Sequence, residues 1–137
     1  MSNLLVNTDL LIYAIDEDSQ FYERTRQLLY ESGHELFTTS KNLSEFLAVV
    51  TRGNPPLLSV HQAVNLADEI EQNFTVLYPT PESSQVLRGL LRKYQATGSQ
   101  IHDFTVVSIG LSSQVKLLGT FSEKYFRGIM EIQIATL

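Results

Sequence analysis

The chain has 137 residues, of which 43% are apolar and 18% charged, a composition typical of a folded globular protein that excludes a disordered one. It has no cysteine, which excludes disulfides and thiolate metal ligands, so any metal ion would be held by oxygen or imidazole. The net charge of −5 argues against a broad basic surface for nucleic acid, but it is compatible with an acidic site that meets phosphate through a divalent ion.

The first third of the chain predicts a strand followed by two helices. Apolar residues 4–6 predict a buried strand, which ends at Asn7. A second apolar run follows, and this pattern predicts a helix with Thr8 or Asp9 as its N-cap. Residues 19–32 carry apolar side chains on one face and charged side chains on the other, which predicts an amphipathic helix.

The middle of the chain continues the alternation. Residues 36–39 predict a second strand, and a helical run begins at Ser40 and contains Glu45. A Gly-Asn-Pro-Pro sequence ends this helix, because proline cannot continue it. Residues 59–74 predict a further helix with Ser59 as its N-cap. Its predicted buried face comprises Val60, Val64, Ala67, Ile70 and Phe74.

The last part of the chain predicts three strands and two helices. Residues 75–78 predict a strand, and residues 82–96 an amphipathic helix. Asp103 then stands at the head of an apolar helical run. Residues 116–120 predict a short buried strand, and residues 131–135 an alternating edge strand.

Strands and helices thus alternate along the whole chain, without a repeat, linker or low-complexity tract. This order predicts an α/β fold, a sandwich with a mostly parallel central sheet and helices on both faces. The length is that of one domain, predicted over residues 1–137. No run of about 18 uncharged apolar residues occurs, so we expect no membrane span and a cytoplasmic location.

Three acidic residues follow the predicted strands closely enough to meet at one edge of the sheet. Asp9 follows the first strand, Glu45 lies shortly after the second, and Asp103 opens the helix before the fourth. Ligands of such folds gather at the carboxyl ends of the strands. Carboxylates suit Mg²⁺ or Mn²⁺, and such ions position water in phosphodiester cleavage. The pattern predicts a catalytic metal site.

Four blocks of the sequence point to a known family. In chain order they read VNTDLLIYAID, NLSEFLAVVTR, IHDFTVVSIGLSS and LLGTFSEKYF. Together they resemble PIN-domain ribonucleases, in particular the VapC-type toxins of bacterial toxin–antitoxin pairs, over almost the whole chain. The resemblance implies a PIN-like three-layer sandwich and a metal-dependent endoribonuclease that hydrolyses RNA. It also implies a homodimer, neutralised by a small antitoxin protein whose tail crosses the active site.

Two positions follow the family pattern and two depart from it. Glu45 and Asp103 fall where the family has metal-binding acids. Asn7 stands where the family has its first Asp, and Ser122 stands where it commonly has Asp or Asn. An amide and a hydroxyl lack the charge that makes a carboxylate a strong ligand for a hard cation.

Neighbouring residues offer replacements and support. Asp9 lies two residues after Asn7 and would supply the missing charge, whereas Glu123 is a weaker candidate for the last position. Thr8 and Thr120 would hold the carboxylates or bound water by hydrogen bonds. The sequence names no residue that binds the RNA itself.

Three hypotheses follow. In the first, Asp9, Glu45 and Asp103 hold Mg²⁺ or Mn²⁺, and a water attacks RNA in line without a protein nucleophile. In the second, the PIN fold has lost catalysis and is an RNA- or protein-binding module, as Asn7 and Ser122 suggest. In the third, Asp9 and Asp103 are helix caps and Glu45 is a partly exposed acid with a cationic neighbour.

Some other residues are predicted to have no part in the site. Tyr13, Tyr30 and Phe46 lie at helical spacings and are predicted to belong to the core and not to stack on bases. His102 is predicted to be a solvent-exposed loop residue.

Overall fold

The computed structural model describes residues 2–137. It contains a sheet of five strands with helices on both faces. In chain order the elements are β1 Asn3–Val6, α1 Thr8–Tyr13, α2 Tyr22–Glu31, β2 Glu35–Thr39, α3 Ser40–Thr51, α4 Val60–Asn73, β3 Thr75–Leu77, α5 Pro81–Tyr94, α6 Gln100–Ser112, β4 Leu117–Gly119, a 3-10 turn Glu123–Tyr125, and β5 Gln133–Ile134. The strand order is β3-β2-β1-β4-β5. Every pairing between these strands is parallel, so the predicted α/β sandwich is confirmed.

Successive residues of β1 point to opposite sides of the sheet and divide the core in two. Leu4 and Val6 pack with the helices of the first half of the chain, and Leu5 packs with those of the second half. The first side includes Leu10, Leu28, Phe46 and Ala63, and the second includes Leu90, Phe104, Val107 and Phe126. The layers are therefore α1 to α4, the sheet, and α5 with α6.

Three helices begin with the reciprocal cap in which a hydroxyl and the third helical residue bond each other's backbone N–H. Thr39 caps α3, Ser59 caps α4 as predicted, and Thr80 caps α5. The predicted cap of α1 is wrong. The helix begins at Thr8, after Asn7, and no side chain caps it.

The predicted buried face of α4 is confirmed at Phe74, which is buried, and at Ile70, which packs against the core, but it is wrong at the start of the helix. Val60 and Val64 are 69% and 46% exposed, whereas Ala63 is fully buried. Both phases of this helix carry apolar residues, so only packing against its neighbours decides which side faces inward. Tyr30, predicted to be core, is 54% exposed.

The strand order reverses beside β1. The chain steps from β1 to β2 to β3 in one direction and then places β4 on the other side of β1. Binding sites of parallel sheets lie at the carboxyl ends of the strands beside such a reversal. Within residues 2–137, no helix has both the length and the apolar character needed to cross a membrane.

Candidate functional site

A small polar pocket lies at the carboxyl edge of the sheet between α3 and α6. It is lined by Asn7, Thr8, Lys41, Asn42, Glu45, His102, Asp103 and Val106. Asn7 and Thr8 come directly after β1, so the pocket lies beside the reversal of strand order. Two of the three predicted acids are therefore brought together there.

The two carboxylates of the pocket affect each other. Asp103 is half-buried in the first turn of α6, and Glu45 is more exposed on α3. Burial raises the pKa of Asp103, and the nearby negative charge of Glu45 raises it further. His102 and Lys41 act in the opposite direction on this pKa. The pocket therefore combines two acids with basic groups close to them.

Asn42 fixes the floor of the pocket. Its side chain is buried, and its Nδ2 donates to Asn7 Oδ1 at 3.1 Å and to Thr8 Oγ1 at 2.9 Å. The Thr39 hydroxyl donates to Asn42 Oδ1 at 2.6 Å, as part of the cap of α3. The cap that begins α3 thus also orients the first residues after β1.

Asp9 does not line the pocket. The Thr120 hydroxyl lies 3.0 Å from both of its carboxylate oxygens, and the Phe121 N–H donates to Asp9 Oδ2 at 2.8 Å. Asn7 Nδ2 contacts the same Thr120 hydroxyl at 3.4 Å. Asp9 therefore fastens the turn after β4 to the start of α1, and Asn7 occupies the pocket.

The environment of Asp9 shifts its ionisation. Burial raises the pKa of Asp9, and hydrogen bonds from the Phe121 N–H and the Thr120 hydroxyl offset only part of this effect. Burial also raises the pKa of Tyr13, and the negative charge of Asp9 contributes to that increase. Tyr13 lies one helical turn after Asp9 in α1.

The other residues predicted to support the site lie in the turn after β4. The Ser122 N–H donates to the Thr120 hydroxyl at 3.0 Å. Glu123 is exposed and opens the 3-10 turn. Neither residue lines the pocket, so the structure brings no carboxylate from this turn to Glu45 and Asp103.

The helix-cap hypothesis for the acids does not match the observed contacts. The N-cap of α6 is Ser99, which lies before Asp103 in the chain. The Ser99 side chain makes no cap hydrogen bond. Asp9 lies inside α1 and not at its cap. The cationic neighbour expected for Glu45 is present, because Lys41 lines the same pocket.

Sequence reasoning missed three polar residues that line the pocket. Lys41 precedes Glu45 by one helical turn, a spacing that places both on one face of α3. Asn42 is the third helical residue after Thr39, a position at which an amide side chain completes a cap. His102 is exposed as predicted, but it lies on α6 and not in a loop.

The donors of the pocket fit one hard cation. Within residues 2–137, no group of three or more His, Cys, Asp or Glu side chains is arranged to hold a metal ion. Glu45 and Asp103 supply two carboxylates, and Asn7 Oδ1 keeps one lone pair free beside its bond from Asn42. Mg²⁺ is commonly held by one or two carboxylates, with waters and substrate phosphates completing its shell. The donor set suits one such ion and not a pair.

The fold and the pocket define a three-layer α/β protein with an acidic site at the carboxyl edge of a parallel sheet. The model of the PIN domain family matches residues 4–129, and the chain belongs to this family. The resemblance noted in the sequence blocks is thereby confirmed.

Solved structures with the same fold come from bacterial toxin–antitoxin proteins. VapBC2 from Rickettsia felis, bound to a promoter DNA fragment, has a TM-score of 0.71 at 17% identity over 98% of both chains. The Mycobacterium tuberculosis toxin VapC20, which cleaves the sarcin-ricin loop, has a TM-score of 0.71 at 15% identity over 93% of this chain and 95% of that one. A toxin–antitoxin complex from Klebsiella pneumoniae has a TM-score of 0.72 at 15% identity, covering 98% and 97%. Curated protein sequences gave no match.

Proposed function

We propose that this protein is an endoribonuclease of a toxin–antitoxin pair and hydrolyses RNA at the pocket of Glu45 and Asp103 with Mg²⁺ or Mn²⁺. The observation that carries the proposal is the meeting of these two carboxylates, from α3 and α6, at the carboxyl edge beside the reversal of strand order. Membership of the PIN domain family supports it, as does the shared fold with VapC20, a toxin that cleaves the sarcin-ricin loop.

The side chains of the pocket have distinct proposed roles. Glu45 and Asp103 hold the ion, and Asn7, fixed by Asn42, adds an amide oxygen. When bound, the ion supplies positive charge to the phosphate and lowers the pKa of a water. Lys41 and His102 contact the phosphate oxygens. The attacking group is a water in line with the leaving oxygen, and no side chain of the protein acts as the nucleophile.

Asp9 acts indirectly in this proposal. Through the Thr120 hydroxyl and the Phe121 N–H it holds the turn after β4, and Thr120 contacts Asn7. Asp9 is therefore a positioning residue. Thr8 is another, because its Oγ1 accepts a hydrogen bond from Asn42.

The partners proposed for this chain are a small antitoxin protein and a second copy of itself. Similar structures from Rickettsia felis and Klebsiella pneumoniae are toxin–antitoxin assemblies, which supports the first partner. Exposed apolar residues on α4 support the second. An RNA substrate is consistent with a cytoplasmic location.

The test is Mn²⁺ binding by calorimetry, together with cleavage of a structured RNA. We expect the wild type to bind Mn²⁺ and to cleave. Asp103→Asn should lower both by more than the roughly 10- to 100-fold that removing an outer partner of a metal ligand costs. Asn7→Asp adds a third carboxylate to the pocket and should tighten Mn²⁺ binding. Glu71→Gln, an exposed change of the same kind on α4, is the matched control and should have no effect.

Asp9→Asn separates positioning from coordination. If Asp9 only holds the turn, Mn²⁺ affinity stays within a few-fold of wild type; a loss as large as that of Asp103→Asn would make Asp9 a ligand. Unchanged cleavage by Asp103→Asn would refute the proposed site.

A non-catalytic binding module is the second candidate. Two observations favour it: Asp9 lies outside the pocket, and Lys41 brings a positive charge into it. This function would be preferred if the wild type did not bind Mn²⁺ and did not cleave RNA, whereas Asn7→Asp bound Mn²⁺.

A further inference from the structure

Three aromatic rings pack together at the turn after β4. The rings of Phe21 and Phe121 are stacked with centroids 4.3 Å apart. The Tyr13 ring lies 5.0 Å from Phe21 and meets Phe121 edge-on at 5.7 Å. All three side chains are partly exposed, so the cluster lies at the surface and is not closed within the core.

An arginine lies against this cluster. The Arg24 guanidinium carbon is 5.3 Å from the Phe21 centroid and 5.2 Å from the Phe121 centroid, so it bridges the stacked pair. Arg24 is exposed, and in the part of the chain that the structure describes it forms no ion pair. Its charge does not serve the helix, because a cation in the first turn of α2 opposes the helix dipole. The guanidinium donors are therefore held in place and available to an anion.

The cluster is rigidly attached to the same edge of the sheet as the pocket. Phe121 follows Thr120 at the end of β4, and its N–H is bonded to Asp9 at 2.8 Å. Thr120 contacts Asn7, which lines the pocket. Tyr13 ends α1, which begins directly after β1. The hydrogen bonds from Asn7 to Thr120 and from the Phe121 N–H to Asp9 thus connect the pocket to the cluster.

We propose that Arg24, Phe21 and Phe121 form a binding site for single-stranded RNA. Arg24 binds a phosphate, and a base stacks against the partly exposed rings of Phe21 and Phe121. The proposal rests on the ribonuclease function proposed above, because it places the cluster next to the phosphate that the pocket cleaves.

The chemistry of the cluster favours RNA over an acidic peptide. Proteins bind unpaired bases by stacking them on aromatic rings and guanidinium planes. An acidic peptide would offer Arg24 a carboxylate, but it would bring no planar base to stack on Phe21 and Phe121. An RNA strand meets Arg24 with one phosphate and reaches the pocket with another where Lys41 and a divalent ion lie.

The test is the affinity for a short fluorescent single-stranded RNA, measured by anisotropy with EDTA and with Mn²⁺ at several salt concentrations. Arg24→Gln should weaken binding and reduce the slope of log Kd against log salt by about 0.7, the contribution of one phosphate contact on a single strand. Phe121→Leu and, independently, Phe21→Leu should weaken binding by roughly 5- to 150-fold without changing that slope. Arg88→Gln, an exposed change of equal charge on α5, is the control. It should change the RNA affinity and the salt slope less than the cluster variants do. Circular dichroism of each variant verifies the fold.

The outcomes separate the two proposals. If the wild type binds RNA and the three cluster variants behave like Arg88→Gln, the cluster is not an RNA site, while the ribonuclease function stands. If the wild type binds RNA neither with EDTA nor with Mn²⁺, both proposals fail. If Arg24→Gln abolishes binding of an acidic peptide and leaves RNA affinity unchanged, the site belongs to a protein partner and the RNA assignment is overturned.

Discussion

The carboxylate of Asp9 shows how a residue two positions from a pocket is drawn away from it. Asn7 and Asp9 lie on either side of Thr8, yet only Asn7 lines the pocket. Asp9 finds two donors in the turn after β4, the Thr120 hydroxyl and the Phe121 N–H. Hydrogen bonds to an ionised group are stronger than hydrogen bonds between neutral groups. These two donors therefore hold a carboxylate more strongly than they would hold an amide.

The burial of Asp9 leads to a pH-dependent stability. Because burial raises the pKa of Asp9 above its ordinary value of 3.8, the folded protein takes up this proton at a higher pH than the unfolded chain. The resulting stabilisation is fully present below the ordinary value and is lost as pH rises through the raised pKa. We expect Asp9→Asn to gain stability relative to wild type as pH rises through that window.

Urea denaturation of both proteins at about pH 3.5, 5 and 7 measures this difference. The lowest pH lies near the ordinary pKa of an Asp carboxyl, and the other two lie above it. Thr120→Val removes one hydrogen bond that lowers the pKa of Asp9, so its own stability should fall more steeply with pH than that of wild type. A constant difference between Asp9→Asn and wild type at all three pH values would contradict the prediction.

At the scale of elements, the close approach of α6 to the sheet places Asp103 opposite α3. Gly110 lies in the buried part of α6, and a Cβ there would come 2.7 Å from Leu5 Cδ2 and 3.1 Å from the Val115 carbonyl oxygen. A larger residue would push the helix away from β1. The absence of a side chain at this position therefore lets α6 approach β1 closely.

Two glycine substitutions on neighbouring helices should have opposite effects. Gly110→Ala overpacks the contact with β1 and should destabilise the protein by about 1–3 kcal/mol. Gly89→Ala on α5 meets no atom within 4 Å. It should stabilise the protein by roughly 0.8–1 kcal/mol, because alanine is the better helix former. The free energy of unfolding in urea measures both, and equal signs for the two variants would refute the packing argument.

At the scale of the whole molecule, α3 and α4 present an apolar face to solvent. A groove of about 320 Å³ is lined by Leu47, Ala48, Thr51, Val60, Ala63 and Val64. Val60 is 69% exposed and Val64 46%. Contiguous exposed apolar surface of this kind marks interaction sites, and this face supports the proposed homodimer.

A charge on this face should dissociate the proposed dimer. We expect Val64→Glu to have the mass of one chain in light scattering after gel filtration, at concentrations where the wild type has the mass of two. Met130→Glu, at a residue that is 82% exposed elsewhere on the surface, is the control and should remain a dimer. A wild type that is monomeric, or a Val64→Glu variant that stays dimeric, would exclude this face as the interface.

The sequence by itself determined the alternation of strands and helices, the cap at Ser59, and the meeting of Glu45 and Asp103. These features follow from hydrophobic periodicity, cap residues and the rule that parallel strands end at one edge, all of which are written in short stretches of chain.

Only the tertiary structure decided the destination of Asp9, the inward face of α4 and the joining of Phe21 with Phe121. Asp9 and Thr120 are 111 residues apart, so no local pattern reveals that the turn after β4 outcompetes the pocket for the carboxylate. Val60 and Ala63 lie on helix phases that are both apolar, and packing against α3 selects between them. A side chain's partner depends on atoms that only the folded chain brings within reach, and for this reason the sequence alone left these contacts open.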